Sequence, residues 1–261
     1  MLELHHFEPN TLFLKPLIAL AEADAPFVSR YFDGANFEQF AAGFPQNTES
    51  GLQLEREGPV LVADGAILSS SFFMLEYIAD VHPAAHLRPA SAFDQYRAQA
   101  WGQFVALQVG PAVCALGCAK YLAPALQLRD QGRLQAQLSR IEPVERRTAW
   151  TAVVDGSRDQ AALAAVRARL ATALKRVEDA LGKSPWLAGP AYSIADIDAY
   201  AMLAPLPGLT PDIVSGKATP GIMAFLARVG ERAAIRKALS YSRTGKPGES
   251  FVPGAEPSRW G

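Results

Sequence analysis

Gly58-Pro59-Val60-Leu61-Val62-Ala63-Asp64-Gly65-Ala66-Ile67-Leu68-Ser69-Ser70-Ser71-Phe72-Phe73-Met74-Leu75-Glu76-Tyr77-Ile78 is the stretch that decides the fold. A short β-run opened by a proline leads into Asp64-Gly65, the residue pair that supplies positive φ to a tight two-strand connection. A second short β-run follows, and Ser69, Ser70 and Ser71 then open a helix beginning at Phe72. Serine oxygens and unpaired N–H groups at such a start cap the helix and attract carboxylates. Pro59 stands at the mouth of the first strand.

Upstream, Leu2–Phe7 reads as a strand and Thr11–Ala23 as a helix carrying Pro16 in its first turns. Pro26–Phe32 reads as a second strand and Asn36–Phe44 as a short helix. The order β-α-β-α-β-β-α predicts a thioredoxin-like layer over residues 1–81. Residues 82–93, with Pro83 and Pro89, read as a linker. Strand patterns vanish beyond it. Asp94–Leu122 reads as a long apolar helix bent at Pro111, and Arg158–Lys183 as a helix rich in good helix formers. Ser193–Ala204 and Pro220–Ala238 are shorter helices, which makes residues 94–243 an all-helical domain, and residues 244–261 form a Gly- and Pro-rich tail. The fold class is therefore α/β plus all-α. Tyr192-Ser193-Ile194-Ala195-Asp196-Ile197 adds a capping box, with Ser193 at the cap and Asp196 answering three residues on.

The 261 residues are 49% apolar, enough for a large core, and carry a formal net charge of −1. That balance offers no electrostatic case for nucleic acid or an anionic membrane surface. The two cysteines, Cys114 and Cys118, exclude a disulfide framework. The start of the chain lacks a basic and apolar export signal, and the apolar run Gly110–Leu122 is broken by Pro111 and Lys120. A cytoplasmic protein without a membrane span is expected. No metal site is expected either. His5 and His6 point to opposite faces of a strand, and the Cys114/Cys118 pair has no second pair to complete a tetrahedral set.

The proline, Asp-Gly turn, serine-opened helix and Tyr77-Ile78, together with the capping box after Trp186-Leu187-Ala188-Gly189, resemble the glutathione S-transferase superfamily. Leu14-Lys15-Pro16-Leu17, Phe37-Glu38-Gln39, Leu87-Arg88-Pro89-Ala90 and Thr219-Pro220-Gly221 resemble the sphingomonad lignin β-etherases of the LigF type within it. The resemblance, with the strand-opening position of Pro59, implies a cis Gly58–Pro59 bond; it further implies a glutathione-binding α/β domain, glutathione as co-substrate and an aromatic small-molecule substrate. It also implies a dimer built across the α/β domain and the long helix Asp94–Leu122. Family members of this type use glutathione thiolate to displace a phenol from the carbon β to a ketone.

Carried over residue by residue, the resemblance assigns glutathione contacts to Gly58, Pro59, Ser70 and Ser71. It also exposes departures. Phe13 stands where the family carries its thiolate-facing serine, and Leu12 where it carries the neighbouring asparagine. Phenylalanine has no hydrogen-bond donor. Asn10 and Thr11, just upstream, are the nearest polar groups and hence the candidate catalytic residues. Ser70 replaces the Glu or Gln that contacts the γ-glutamyl group. Trp101, Phe104, Tyr121 and Trp150 are candidate walls of an aryl pocket or core residues. Glu142–Arg147 reads as a solvated turn, and Phe251 or Trp260 as an anchor for the tail.

Three functions are compatible with this pattern. The first is a weakly active or non-catalytic subunit paired with an active homologous transferase. The second is a self-sufficient transferase using Asn10, Thr11 or a serine of the Ser69–Ser71 run. The third is a carrier of aromatic ligands without turnover.

Overall fold

The computed structural model describes residues 1–45, 57–142, 144–156 and 160–254. Strands β1 (Leu2–His6), β2 (Phe27–Tyr31), β3 (Val60–Ala63) and β4 (Ala66–Ser69) form one sheet in the order β2-β1-β3-β4. β1 and β2 are parallel, in register from Leu2 against Phe27 to His6 against Tyr31, and helix α1 (Thr11–Glu22) crosses between them. β3 runs antiparallel to β1 and turns back into β4. Asp64 and Gly65 take φ of 49° and 88°, the positive values that the two-residue hairpin demands. The Gly58–Pro59 bond is cis. Helix α2 (Ser71–Val81) completes the thioredoxin-like layer.

One element of this layer differs from expectation. Instead of a helix over Asn36–Phe44 there are two short 3-10 turns, Gly34–Asn36 and Glu38–Phe40. The Asp33 carboxylate accepts from the N–H groups of Ala35 and Asn36, and Phe37 takes φ 64° between the turns. That local capping competes with a continuous helix and breaks it.

The helical domain opens with α3 (Ala92–Phe104), which starts two residues before Asp94 because Ser91 Oγ accepts from the Asp94 N–H at 3.0 Å. The run continues through a π turn (Val105–Val109), α4 (Gly110–Gly117), a second π turn (Cys118–Leu122) and α5 (Ala123–Gln127). Each π turn ends two residues before a proline, Pro111 and Pro124. A proline inside a helix lacks the N–H and crowds the carbonyl four residues back, and a widened turn accommodates both. The bend expected at Pro111 takes this form. By length and composition Ala92–Gln127 could cross a membrane, yet 67% of its most apolar window is buried within this chain, as for a core helix.

Two further helices, α6 (Gln131–Leu138) and α7 (Val144–Val154), follow. The second overturns the reading of Glu142–Arg147 as a solvated turn. Arg146, Ala149, Trp150 and Val153 fall at i, i+3, i+4 and i+7, and all four are buried. Next come α8 (Gln160–Leu181), with its stripe Val166, Leu170, Leu174, Val177 and Leu181, then the wholly buried α9 (Ile194–Leu203) and the short α10 (Leu206–Leu209). The capping box forms at the start of α9. Asp196 accepts from the N–H of Leu187 and of Ser193, both at 2.9 Å, and from Ser193 Oγ at 3.1 Å. Burial pushes the Asp196 carboxyl up to about 6 against the pull of those hydrogen bonds.

The expected helix Pro220–Ala238 is two helices, α11 (Pro220–Gly230) and α12 (Ala233–Leu239). Arg232 breaks it with extended backbone (φ −65°, ψ 141°), which lets its guanidinium reach Glu22 of α1 at 2.9 Å and lie 3.9 Å from the Tyr192 ring centroid. The two domains are joined through α1, α9 and α12. At their seam Lys15 pairs with Asp198 at 2.7 Å, both almost fully buried. Phe72 of α2 lies on Gly102 of α3, where a Cβ would sit 2.3 Å from the ring.

Candidate functional site

The candidate site gathers where the start of α1 meets the cis-proline turn. Asn10 caps α1, and its Oδ1 accepts from the Thr11 N–H at 3.0 Å while its Nδ2 donates to the Ser250 carbonyl at 2.9 Å. Thr11, with φ 46°, is buried beside it. Phe13 is 2% exposed, and its ring lies within an aromatic cluster, 5.9 Å from Phe7 and 5.7 Å from Phe32 between centroids. Phe32 in turn meets Phe44 at 5.0 Å.

Gly58 faces that same cluster. A Cβ added there would lie 3.3 Å from Phe13 and 3.4 Å from Phe32, and its φ of 91° already favours glycine. Thus Phe13, Gly58 and cis-Pro59 come together, and the space beside the proline turn is filled with aromatic rings. Ser71 opens α2 and is fully buried, whereas Ser70 stands half-buried at φ 73°, ψ 114°. That is a conformation L-residues avoid, and such strain is held by its surroundings, most often at ligand-binding turns.

Residues that no local pattern marked complete the region. Glu57, immediately before Gly58, is 1% exposed. Its carboxylate accepts from Arg146 Nε at 2.6 Å, from Arg146 Nη2, from Trp150 Nε1 at 3.1 Å and from Gln39 Nε2 at 3.2 Å. Arg146 also donates to the carbonyls of Pro253 (2.7 Å) and Gly254 (3.1 Å). Trp150, a candidate pocket wall, is instead fully buried as a donor to this carboxylate, with its ring tilted against Phe37 at 4.6 Å between centroids.

The tail crosses this region as a strap. It leaves the helical domain over Glu8, whose carboxylate accepts from Ser242 Oγ at 2.5 Å, the N–H of Arg243 at 2.9 Å, the N–H of Thr244 at 3.0 Å and Tyr31 Oη at 3.0 Å. Burial would raise the Glu8 carboxyl, but these donors together hold it below the ordinary glutamate range. Phe251 anchors the described part of the tail; Trp260, the other candidate anchor, lies outside the described residues. The Phe251 ring stacks parallel to Tyr121 at 5.9 Å and presses on Gly117, where a Cβ would sit 2.2 Å from it. Val252 meets Gly34, and Gly254 meets Cys114. Trp101 and Phe104 face elsewhere, with Arg176 over both rings at 5.8 and 5.0 Å.

These residues do not fit bound glutathione in the manner the family resemblance implies. Among the described residues, Phe13 stands where the resemblance calls for a donor, the rings of Phe13 and Phe32 lie against Gly58, and Asn10 is engaged by the strap.

A thioredoxin-like layer with a cis-proline turn, joined to an all-helical domain whose buried helix starts on a Ser-x-x-Asp box, defines the class. The fold is that of the glutathione S-transferases, and the chain is similar to them in sequence. The family model for the glutathione S-transferase C-terminal domain matches residues 160–228.

Among relatives, Protein LigF of Sphingobium sp. (strain NBRC 103272 / SYK-6) is 28% identical over 248 residues, spanning 93% of this chain and 94% of LigF. The crystal structure of beta-etherase LigF from Sphingobium sp. strain SYK-6 matches with a TM-score of 0.83 at 27% identity, covering 92% of this chain and 99% of that one. A sphingomonad glutathione S-transferase solved in complex with glutathione shares the fold, with a TM-score of 0.62 at 23% identity over 91% of this chain and 97% of that one.

Proposed function

We propose that this chain is a weakly active or non-catalytic subunit of the β-etherase type, pairing in the cytoplasm with an active homologous transferase that cleaves lignin-derived β-aryl ethers with glutathione. The observation that carries this reading is Phe13, sealed among Phe7, Phe32 and Gly58 where a thiolate would need a donor. A thiol without such a donor keeps a pKa near about 8.5, so only a few per cent is thiolate at neutral pH. The strained turn at Ser70 and the cis-proline are the frame of a glutathione site whose contacting side chains have been exchanged. Exposed aromatic side chains support a partner face. Phe73 on α2 and Phe93 and Tyr96 on α3 are 59%, 68% and 64% exposed, on two helices bridged by the Gln99–Glu76 hydrogen bond at 3.0 Å.

The test is titration of the purified, partner-free chain with glutathione, followed by turnover on a β-aryl ether ketone, with sedimentation alone and with candidate homologues. The expected result is no saturable binding below millimolar glutathione, negligible phenol release, and dimer formation. The double variant Phe13→Ser, Ser70→Glu improves binding before rate. Micromolar affinity with rapid phenol release by the chain alone would replace this reading with a self-sufficient transferase, and Asn10, Thr11 and Ser71 would then be the residues to mutate.

A further inference from the structure

We infer that the strap Ser250–Gly254 is an internal ligand, seated in a binding site between the domains that recognises an aromatic ring followed by a carbonyl-bearing chain. The site has the parts of a peptide-recognition groove. Tyr121 provides a parallel face for the Phe251 ring, and Gly117 gives the close approach that any side chain would block. Polar groups placed along the strap read its backbone. Asn10 Nδ2 takes the Ser250 carbonyl, and Arg146 takes the carbonyls of Pro253 and Gly254. Val252 packs against Gly34 on the α/β side.

Each contact belongs to a different element: the start of α1, the 3-10 turn at Gly34, α4, the second π turn and α7. The groove is therefore a property of the assembled domains. The charge state selects the ligand. Glu57 already neutralises Arg146, so the groove favours neutral carbonyl acceptors over carboxylates. Covalent attachment holds the strap at a high effective concentration, of order millimolar for short connections, and this excludes free ligands of the same chemistry. The inference rests on the reading of this cleft as a lost glutathione pocket, but its test uses no glutathione, so the two can fail separately.

The experiment measures fluorescence polarisation of a labelled peptide of residues 246–256 added to three proteins: the full chain, the chain ending at Glu249, and the shortened chain carrying Gly117→Ala. The shortened chain is expected to bind the peptide with micromolar affinity. The full chain, filled in cis, is expected to bind it at least about tenfold more weakly, as the fraction of open sites dictates. Gly117→Ala favours the helix by its own propensity yet occupies the ring's seat, so it should abolish binding. Equal binding by full and shortened chains, no binding by a folded shortened chain, or indifference to Gly117→Ala would each overturn the inference.

Should the shortened chain fail to fold, hydrogen exchange on full-length Gly117→Ala decides. Faster exchange across residues 250–254 than in the unmodified chain supports the seated strap, and unchanged exchange rejects it.

Discussion

Two of the buried carboxylates, Asp196 and Glu57, are built in opposite ways. Asp196 is satisfied from its own neighbourhood, by Ser193 three residues away and by Leu187 nine residues away. Glu57 is satisfied by Arg146 and Trp150, 89 and 93 positions away, and by Gln39 on a separate turn. The Asp196 cluster has no cation among those donors, and burial raises its carboxyl to about 6. The Glu57 cluster contains a guanidinium that also grips the strap. A local cluster secures one helix, whereas a distant one ties the proline turn, α7 and the tail into a single unit.

The comparison breaks most readily at Arg146. Arg146→Ala leaves Glu57 buried without its cation and should cost about 3–5 kcal/mol, read as a lowered denaturant midpoint. Arg146→Met combined with Glu57→Gln, which keeps an acceptor for Trp150, should recover much of that loss. If the single and double variants unfold alike, the cluster's energy lies in packing and not in charge.

Asp196→Ala should cost less, about 1–2 kcal/mol, because it removes a local cap and leaves two N–H groups to be met by neighbours or water. A loss equal to that of Arg146→Ala in the same denaturant series would erase the distinction between local and distant clusters.

The smallest effect concerns Glu8, which pins the start of the strap. Its carboxyl is lowered in the folded chain, so its stabilisation is complete above the unfolded glutamate value of about 4.3 and is lost as pH falls through the lower folded value. Tyr31, Ser242 and the Arg243 guanidinium, 4.3 Å from the Tyr31 ring centroid, face the same spot. Amide exchange at Arg243 and Thr244 should be slow at about pH 5, accelerate on acidification below about pH 4, and be fast at both in Glu8→Gln. Equal protection in the variant would place the pin elsewhere.

What was legible in the chain follows the same division. The hairpin at Asp64-Gly65 and the box at Ser193–Asp196 are short-range patterns, and both formed where the residues indicated. The helix of Arg146 carried a readable i, i+3, i+4, i+7 signal in Ala149, Trp150 and Val153. The charged run Glu142–Arg147 masked it, because a charge in a polar stretch looks solvated until its partner is known. The single helix expected from Pro220 to Ala238 failed for a related reason: Arg232 leaves helical geometry to reach Glu22, 210 positions upstream.

The four strands, the proline turn, the capping box and the absence of a donor at Phe13 were determined by the sequence itself, since each depends on residues within a few positions or on an exchanged side chain. The burial of Glu57, the engagement of Asn10 by Ser250 and the choice of Phe251 as anchor were decided only by the tertiary structure. A groove whose floor is Gly117, whose wall is Tyr121 and whose polar contacts are Asn10 and Arg146 does not exist until the domains pack. Only then do desolvation and hydrogen bonding act on those groups together.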